Sequence, residues 1–216
     1  MQAEGIVGGI TLLKQREKIA VFAMYATIGI FALTLFGELL ELGGVIDLIG
    51  APDEPLALAY TAILLGNFAV YIASVIVVAM WIHRGHANLH EAGITGLQFT
   101  PGWAVGWYFI PIANLFKPFQ AMQELWNESH RVSGGFSAGA PGHLNGWWGC
   151  WIVGNILGNV STRISLMGDG GNVQVSLVLG LGSSILTIGA AVLLIRIMRE
   201  ITTAQVDGIA VSQIFE

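Results

Sequence analysis

Three histidines follow one another at helical spacing near the middle of the chain. His83, His86 and His90 recur at i, i+3 and i+7, so a helix through this stretch places them on one side. With Glu91 beside them, three imidazoles are the ligand types of a Zn²⁺ site. No His-Glu-x-x-His motif accompanies them, and the one cysteine, Cys150, lies far along the chain. The sequence therefore favours a solvated helix end, with no metal and no other cofactor.

A second polar set lies inside an apolar segment. Asn155, Asn159 and Arg163 recur every four residues, so they form one stripe on a helix. Polar side chains in lipid are costly and usually face the interior of a helix bundle. Either the stripe lines an ion or substrate path, or its amides form hydrogen bonds between helices; the sequence favours the second. Arg163, near the outer end, is predicted to pair with Glu38 or Glu41.

Catalytic patterns are not found at any common depth of the chain. The glycine-rich run 180–184 lies inside an apolar segment, so it is not a phosphate loop. At a common depth there are neither paired carboxylates nor a Ser/His/Asp arrangement, and the Gly-x-Ser-x-Gly sequence at 135–139 lies in the glycine-rich loop 133–146, outside the apolar segments. We therefore predict no catalytic residues and expect that the protein is not an enzyme.

The composition of the chain indicates that membrane helices carry these residues. The 216 residues are 54% hydrophobic and only 11% charged, with a mean hydropathy of +0.70, whereas soluble domains carry about 25% charged residues. This predicts an all-α, polytopic membrane protein that forms a single membrane domain over residues 1–216. Four apolar segments reach the ~20 residues that a bilayer requires, namely 19–38, 57–81, 147–167 and 173–195.

The segment 99–126 is apolar but carries helix breakers. Pro111 and Pro118 each remove a backbone donor, which predicts two short helical pieces separated at 111–118. If this segment is re-entrant or interfacial, eight of the nine Lys and Arg residues lie on one side of four spans and only Arg163 on the other. This is the asymmetry of cytoplasmic loops. Both termini are then cytoplasmic, and the acidic loop 38–56 faces outside.

The same region carries an array of Trp, Pro, Arg and Asn residues: Trp81, Arg84, Asn88, Pro101, Trp103, Trp107, Pro111, Asn114, Pro118 and Trp126. The array resembles that of a bacterial integral membrane protein family, domain of unknown function 4328. The resemblance implies a polytopic protein of the bacterial inner membrane and no reaction. Arg84 and Asn88 either bind an anion or a lipid headgroup, or bond carbonyls freed at Pro111 and Pro118; the sequence favours the second.

The leading functional hypothesis is a non-enzymatic accessory or scaffold subunit of a membrane protein complex. Its partners are expected to be membrane lipids and other membrane-protein subunits, and not nucleic acid, because the nine Lys and Arg residues form no basic patch. Two alternatives stay open. One is a small transporter or channel with a polar path along Asn155, Asn159 and Arg163. The other is a metal-dependent membrane enzyme that uses the histidines.

Overall fold

The computed structural model describes residues 2–134, 141–167 and 173–212, and within these ranges the chain is helical without strands. Two single-turn 3₁₀ helices, Trp107–Phe109 and Ala113–Leu115, lie near the middle of the chain. The six α-helices in chain order are α1 (Gln2–Leu42), α2 (Pro55–Glu91), α3 (Pro101–Gly106), α4 (Lys117–Val132), α5 (Gly142–Leu166) and α6 (Val173–Ser212). The predicted all-α class is confirmed for the described residues.

Among the residues that the structure describes, three helices are long and apolar enough to cross a membrane: Gly5–Leu42, Pro55–Glu91 and Val173–Ile209. The helices that contain them have 41, 37 and 40 residues, about 55–60 Å at 1.5 Å per residue, or nearly twice a ~30 Å hydrocarbon core. The segments 19–38, 57–81 and 173–195 are therefore parts of longer helices that continue past the apolar stretch. α5 is not among the three, and its crossing as a fourth span stays a prediction.

The chain packs as two compact units. Unit 1 comprises Met1–Phe22, Val75–Asn145 and Leu194–Glu216, and unit 2 comprises Ala23–Ser74 and Gly146–Leu193. Unit 1 therefore holds the end of α2, the start of α1, the end of α6 and the broken segment. Unit 2 holds most of the residues of the four predicted spans. The single membrane domain over 1–216 stays a prediction.

The segment between α2 and α4 is broken as the prolines predict. α3 begins after Thr100, whose side-chain oxygen accepts a hydrogen bond from the Trp103 amide at 3.4 Å, with Pro101 in the first turn. The first helical piece ends at Phe109, and Ile112 adopts a left-handed φ of 67°. Two separate helical pieces are thus confirmed, although whether both ends lie on the cytoplasmic side stays a prediction.

The break is shorter than the predicted 111–118. α4 begins at Lys117, so Pro118 lies in its first turn and not in the break. The physical reason is that the first amides of a helix have no intrahelical acceptor, so proline costs nothing there. Pro111 interrupts the segment, whereas Pro118 helps to begin the next helix.

Small residues bring α5 and α6 together in unit 2. A Cβ atom added at Gly158 would lie 2.8 Å from the Ser183 hydroxyl oxygen, so the two backbones approach closely. The Ser183 hydroxyl donates to the Gly154 carbonyl at 2.9 Å. The glycines of α5 therefore form a packing face, as expected of a small-xxx-small pattern.

Candidate functional site

A buried amide links three helices in unit 1. Gln205 of α6 is fully buried, and its Oε1 accepts a hydrogen bond from Asn88 Nδ2 of α2 at 3.0 Å. Its Nε2 lies 3.0 Å from both the Gly85 carbonyl oxygen and the Ser129 hydroxyl oxygen, and it donates to each. Three hydrogen bonds therefore satisfy the polar atoms of one side chain and connect α2, α4 and α6, as a buried amide requires.

Arg84 extends this network toward the surface. Its Nε donates to Asn88 Oδ1 at 2.7 Å, and its guanidinium pairs with the carboxylate of Glu91, about two turns along α2 from Arg84. α1 passes close by, because a Cβ atom at Gly9 would lie 2.6 Å from Asn88 Oδ1. These hydrogen bonds of Arg84 and Asn88 thus go to residues of α2 and α6.

The prediction that Arg84 and Asn88 bond carbonyls freed at the break is therefore wrong. The Tyr108 carbonyl accepts from Asn114 Nδ2 at 3.3 Å instead. Asn114 lies in the break itself, so its short side chain reaches a nearby carbonyl without fixing a long side chain from another helix. Desolvation raises the pKa of Tyr108 above its usual value, so its phenol stays neutral.

Two of the tryptophans in the array are structural. Trp81 is fully buried, and its indole N–H donates to the Thr202 hydroxyl oxygen at 3.1 Å. Trp126 is buried and stacks on His130, with ring centroids 4.1 Å apart. Trp103, by contrast, is 53% exposed beside Trp107, at a centroid distance of 4.9 Å. Of the four tryptophans in the array, only this last pair presents aromatic surface to the surroundings.

The three histidines do not converge. His83 and His90 are exposed, whereas His86 is fully buried, so the predicted solvated helix end is wrong for His86, which packs toward α4. Within the described ranges no group of three His, Cys, Asp or Glu side chains could hold a metal ion. The described residues therefore provide no set of metal ligands for the alternative in which the protein is a metal-dependent enzyme.

His86 instead faces the carboxylate of α4. The Glu124 Oε1 atom lies 3.9 Å from His86 Nδ1, and neither ring nitrogen has a hydrogen-bond partner in the described part of the chain. The Glu124 carboxylate accepts hydrogen bonds from the backbone N–H groups of Gln98, at 2.6 Å, and Phe99, at 3.1 Å. This carboxylate fixes the loop that leads into α3, which is a structural role.

The polar stripe of α5 bonds to its own helix. Asn155 Nδ2 donates to the Trp151 carbonyl at 2.7 Å, and Asn159 Nδ2 donates to the Asn155 carbonyl at 2.8 Å. Asn155 is half-buried, and both Asn159 and Arg163 are exposed. The favoured prediction of amide hydrogen bonds between helices is therefore wrong, because Asn side chains in a helix can bond the carbonyl one turn back.

The predicted pairing of Arg163 with Glu38 or Glu41 is also wrong. Glu38 is buried and accepts a hydrogen bond from the Ser184 hydroxyl at 3.0 Å. Gly180 makes room for it, since a Cβ atom there would lie 2.6 Å from Glu38 Oε1. Glu38 therefore turns toward α6, and Arg163 forms no ion pair with any described residue.

Three apolar helices of membrane-crossing length, with a polar network at one end, define a helical membrane protein. The family model with the description "Domain of unknown function (DUF4328)" matches residues 57–203. The match covers well over half of the chain, and the chain belongs to this family. No curated protein and no solved structure matches it.

Sequence reasoning missed the residues that complete the network. Gln205, Ser129 and Thr202 lie far from the Trp81–Asn88 stretch in sequence, so nothing local connects them to it. One signal was present: Ile197, Ile201 and Gln205 recur every four residues, which places an amide in line with an apolar stripe. A polar residue at such a position indicates a buried partner, although it does not identify that partner.

Proposed function

We propose that this protein is a non-enzymatic accessory subunit of the bacterial inner membrane that holds another membrane protein through the exposed face of α5. One observation carries the proposal: Asn159 and Arg163 are exposed on a predicted membrane helix. Apolar neighbours on the same helix are exposed as well, with Ile156 at 53% and Val160 at 40%. Polar groups facing lipid are costly, so such a face favours a protein partner.

The chemistry of the stripe indicates the kind of partner. Arg163 has a fixed positive charge and no ion pair with a described residue. Asn155 and Asn159 each donate one N–H within α5, which leaves the side-chain oxygen and the second N–H of each for a neighbour. A helix with a carboxylate at the depth of Arg163 and a hydrogen-bond donor at the depth of the amides fits this pattern.

A second copy of the chain fits it less well. All copies of a membrane protein have the same orientation, so a twofold axis along the membrane normal would place Arg163 opposite another Arg163. Like charges at one level repel each other, most strongly where the dielectric constant is low. The proposal therefore commits to a different protein as the partner.

The topology that goes with this proposal has four spans. α5 has 25 residues, about 37 Å of helix, enough to cross a ~30 Å core. With α5 crossing, both termini are cytoplasmic and the acidic loop 38–56 faces outside, which agrees with the distribution of Lys and Arg. The exposure of Asn159 and Arg163 also favours a partner face over a transport path enclosed by this chain alone.

Site-specific photo-crosslinking in membranes tests the proposal. A photoreactive residue at Val160, beside the stripe, is compared with one at Leu65, a 70% exposed apolar residue of α2. We expect an adduct only from Val160, with a mass increment different from the 23.0 kDa of the chain itself. Arg163→Leu should remove the adduct and Arg163→Lys should retain it, because the interaction depends on charge.

Three results would contradict the proposal. Equal adducts from Val160 and Leu65 would mean that the α5 face is not selective. An adduct that persists in Arg163→Leu would mean that the charge does not matter. An increment equal to one further chain would identify self-association instead of a different partner.

A further inference from the structure

A cavity of about 570 Å³ opens between α1 and α6 within unit 1. Its size lies in the range of small-molecule sites, roughly 300–1,000 Å³. On each helix the lining residues recur at three- and four-residue spacing, so they share one face. The polar residues that line it are Lys14, Glu17 and Lys18 on α1, and Arg199, Thr202 and Thr203 on α6.

The cavity is positively charged. Three cations line it against the single carboxylate of Glu17, although the chain as a whole has a net charge of −5. Lys14 and Lys18 are exposed, and neither forms an ion pair with a described residue. Because Lys14 and Lys18 are not paired with a described carboxylate, this concave site attracts an anion.

A buried hydroxyl in the wall adds a hydrogen-bond donor. The Thr202 hydroxyl oxygen accepts from the Trp81 indole at 3.1 Å, which fixes its position. Its own O–H donates to no described residue, although the side chain is buried. A hydroxyl has one donor and two acceptor sites, so this donor remains for a ligand with acceptor oxygens.

The cavity lies where a membrane helix meets water. Lys18 directly precedes the apolar segment 19–38, and Arg199 follows the apolar segment 173–195 by four residues. Further along α1, Ile19 is 55% exposed and Phe22 is 74% exposed. An apolar surface thus continues from the charged cavity in the direction that acyl chains take below a headgroup.

We infer that this α1–α6 cavity binds a phosphate group that carries net negative charge, with Lys14, Lys18 and Arg199 as cations and Thr202 as a donor. Phosphate oxygens accept several charge-assisted hydrogen bonds, which this set of donors supplies. The phosphate can belong to an anionic phospholipid headgroup or to a soluble phosphate. The exposed apolar surface beside the cavity favours the lipid.

Ligand titration of the purified full-length protein in a neutral detergent tests this inference. The probes are dioctanoyl phosphatidylglycerol, dioctanoyl phosphatidylcholine and inorganic phosphate. We expect the anionic lipid to bind more tightly than the zwitterionic one. The double variant Lys14→Gln/Lys18→Gln should weaken binding by about 30-fold, the effect of removing two cations near an anionic headgroup.

A matched control separates the cavity from general surface charge. Lys117→Gln/Arg131→Gln removes two positive charges from other parts of unit 1 and should change the affinity by less than about threefold. Because Lys14 and Lys18 are exposed, the double variant should fold, which gel filtration and helical circular dichroism check.

Saturable binding of inorganic phosphate that competes with the lipid would support the phosphate class and identify a soluble source. Equal losses in both double variants, or equal affinity for the two lipids, would overturn the inference.

Discussion

The hydrogen bonds of Gln205 should make this side chain important for stability. Gln205→Leu keeps a side chain of similar size but removes three hydrogen bonds, to Asn88, Gly85 and Ser129. The residue lies ten positions after Ile195, about 15 Å beyond the predicted span, so magnitudes for water-soluble proteins apply. At about 1 kcal/mol for each bond, the variant should lose roughly 3 kcal/mol.

Thermal unfolding in detergent is the assay. A loss of 3 kcal/mol should lower the midpoint by about 6–12 °C for a chain of this size. The control is Asp207→Asn, an exposed change two residues along the same helix, which should stay within about 0.5 kcal/mol. In Gln205→Leu/Asn88→Leu both amides are absent, so the loss should be smaller than the sum of the single losses. A midpoint for Gln205→Leu within 2 °C of the wild type would refute the reasoning.

Two further predictions concern helix packing and topology. Gly208→Ala should destabilise by about 1–3 kcal/mol, because the added Cβ atom would lie 2.5 Å from the Val132 carbonyl carbon, which no rotamer change relieves. Gly8→Ala, with nothing within 4 Å, should be neutral or stabilising in the same melting assay. In a Cys150→Ser background, a cysteine at Asp53 should react with a membrane-impermeant maleimide in intact cells, and one at Asp207 only after permeabilisation. Labelling of Asp207→Cys from outside would reverse the proposed topology.

The helices were predictable because their signals are local. Apolar runs longer than a bilayer requires identify α1, α2 and α6, and the break depends on Pro111, whose missing donor acts on its immediate neighbours. The ends of the helices were less predictable, because the helices continue into polar sequence once tertiary contacts support them. α2, for example, continues from Trp81 to Glu91, where Asn88 meets Gln205.

The partners of the polar side chains were not predictable, because they depend on which helices pack together. The sequence places Glu38 and Arg163 at one depth and opposite in charge, which made a pair reasonable. It does not reveal that Gly180 opens a space in which Glu38 reaches Ser184. The neutral hydroxyl of Ser184 is therefore the partner of Glu38, in place of the expected Arg163. Likewise, the carbonyl in the break is satisfied by Asn114 from within, and not by Arg84 from another helix.

The placement of unpaired charge connects the two proposals. Arg84, Arg131 and Arg196 each pair with a carboxylate on the same helix. Lys14, Lys18 and Arg163 do not pair with any described residue, although the chain has fourteen Asp and Glu residues against nine Lys and Arg. Acidic residues are thus in excess, so the unpaired cations reflect position and not a shortage of partners. Two of these cations line the α1–α6 cavity and one belongs to the α5 stripe. In both proposals the negative charge therefore comes from outside the chain, as a phosphate at the cavity and as a partner's carboxylate at the stripe.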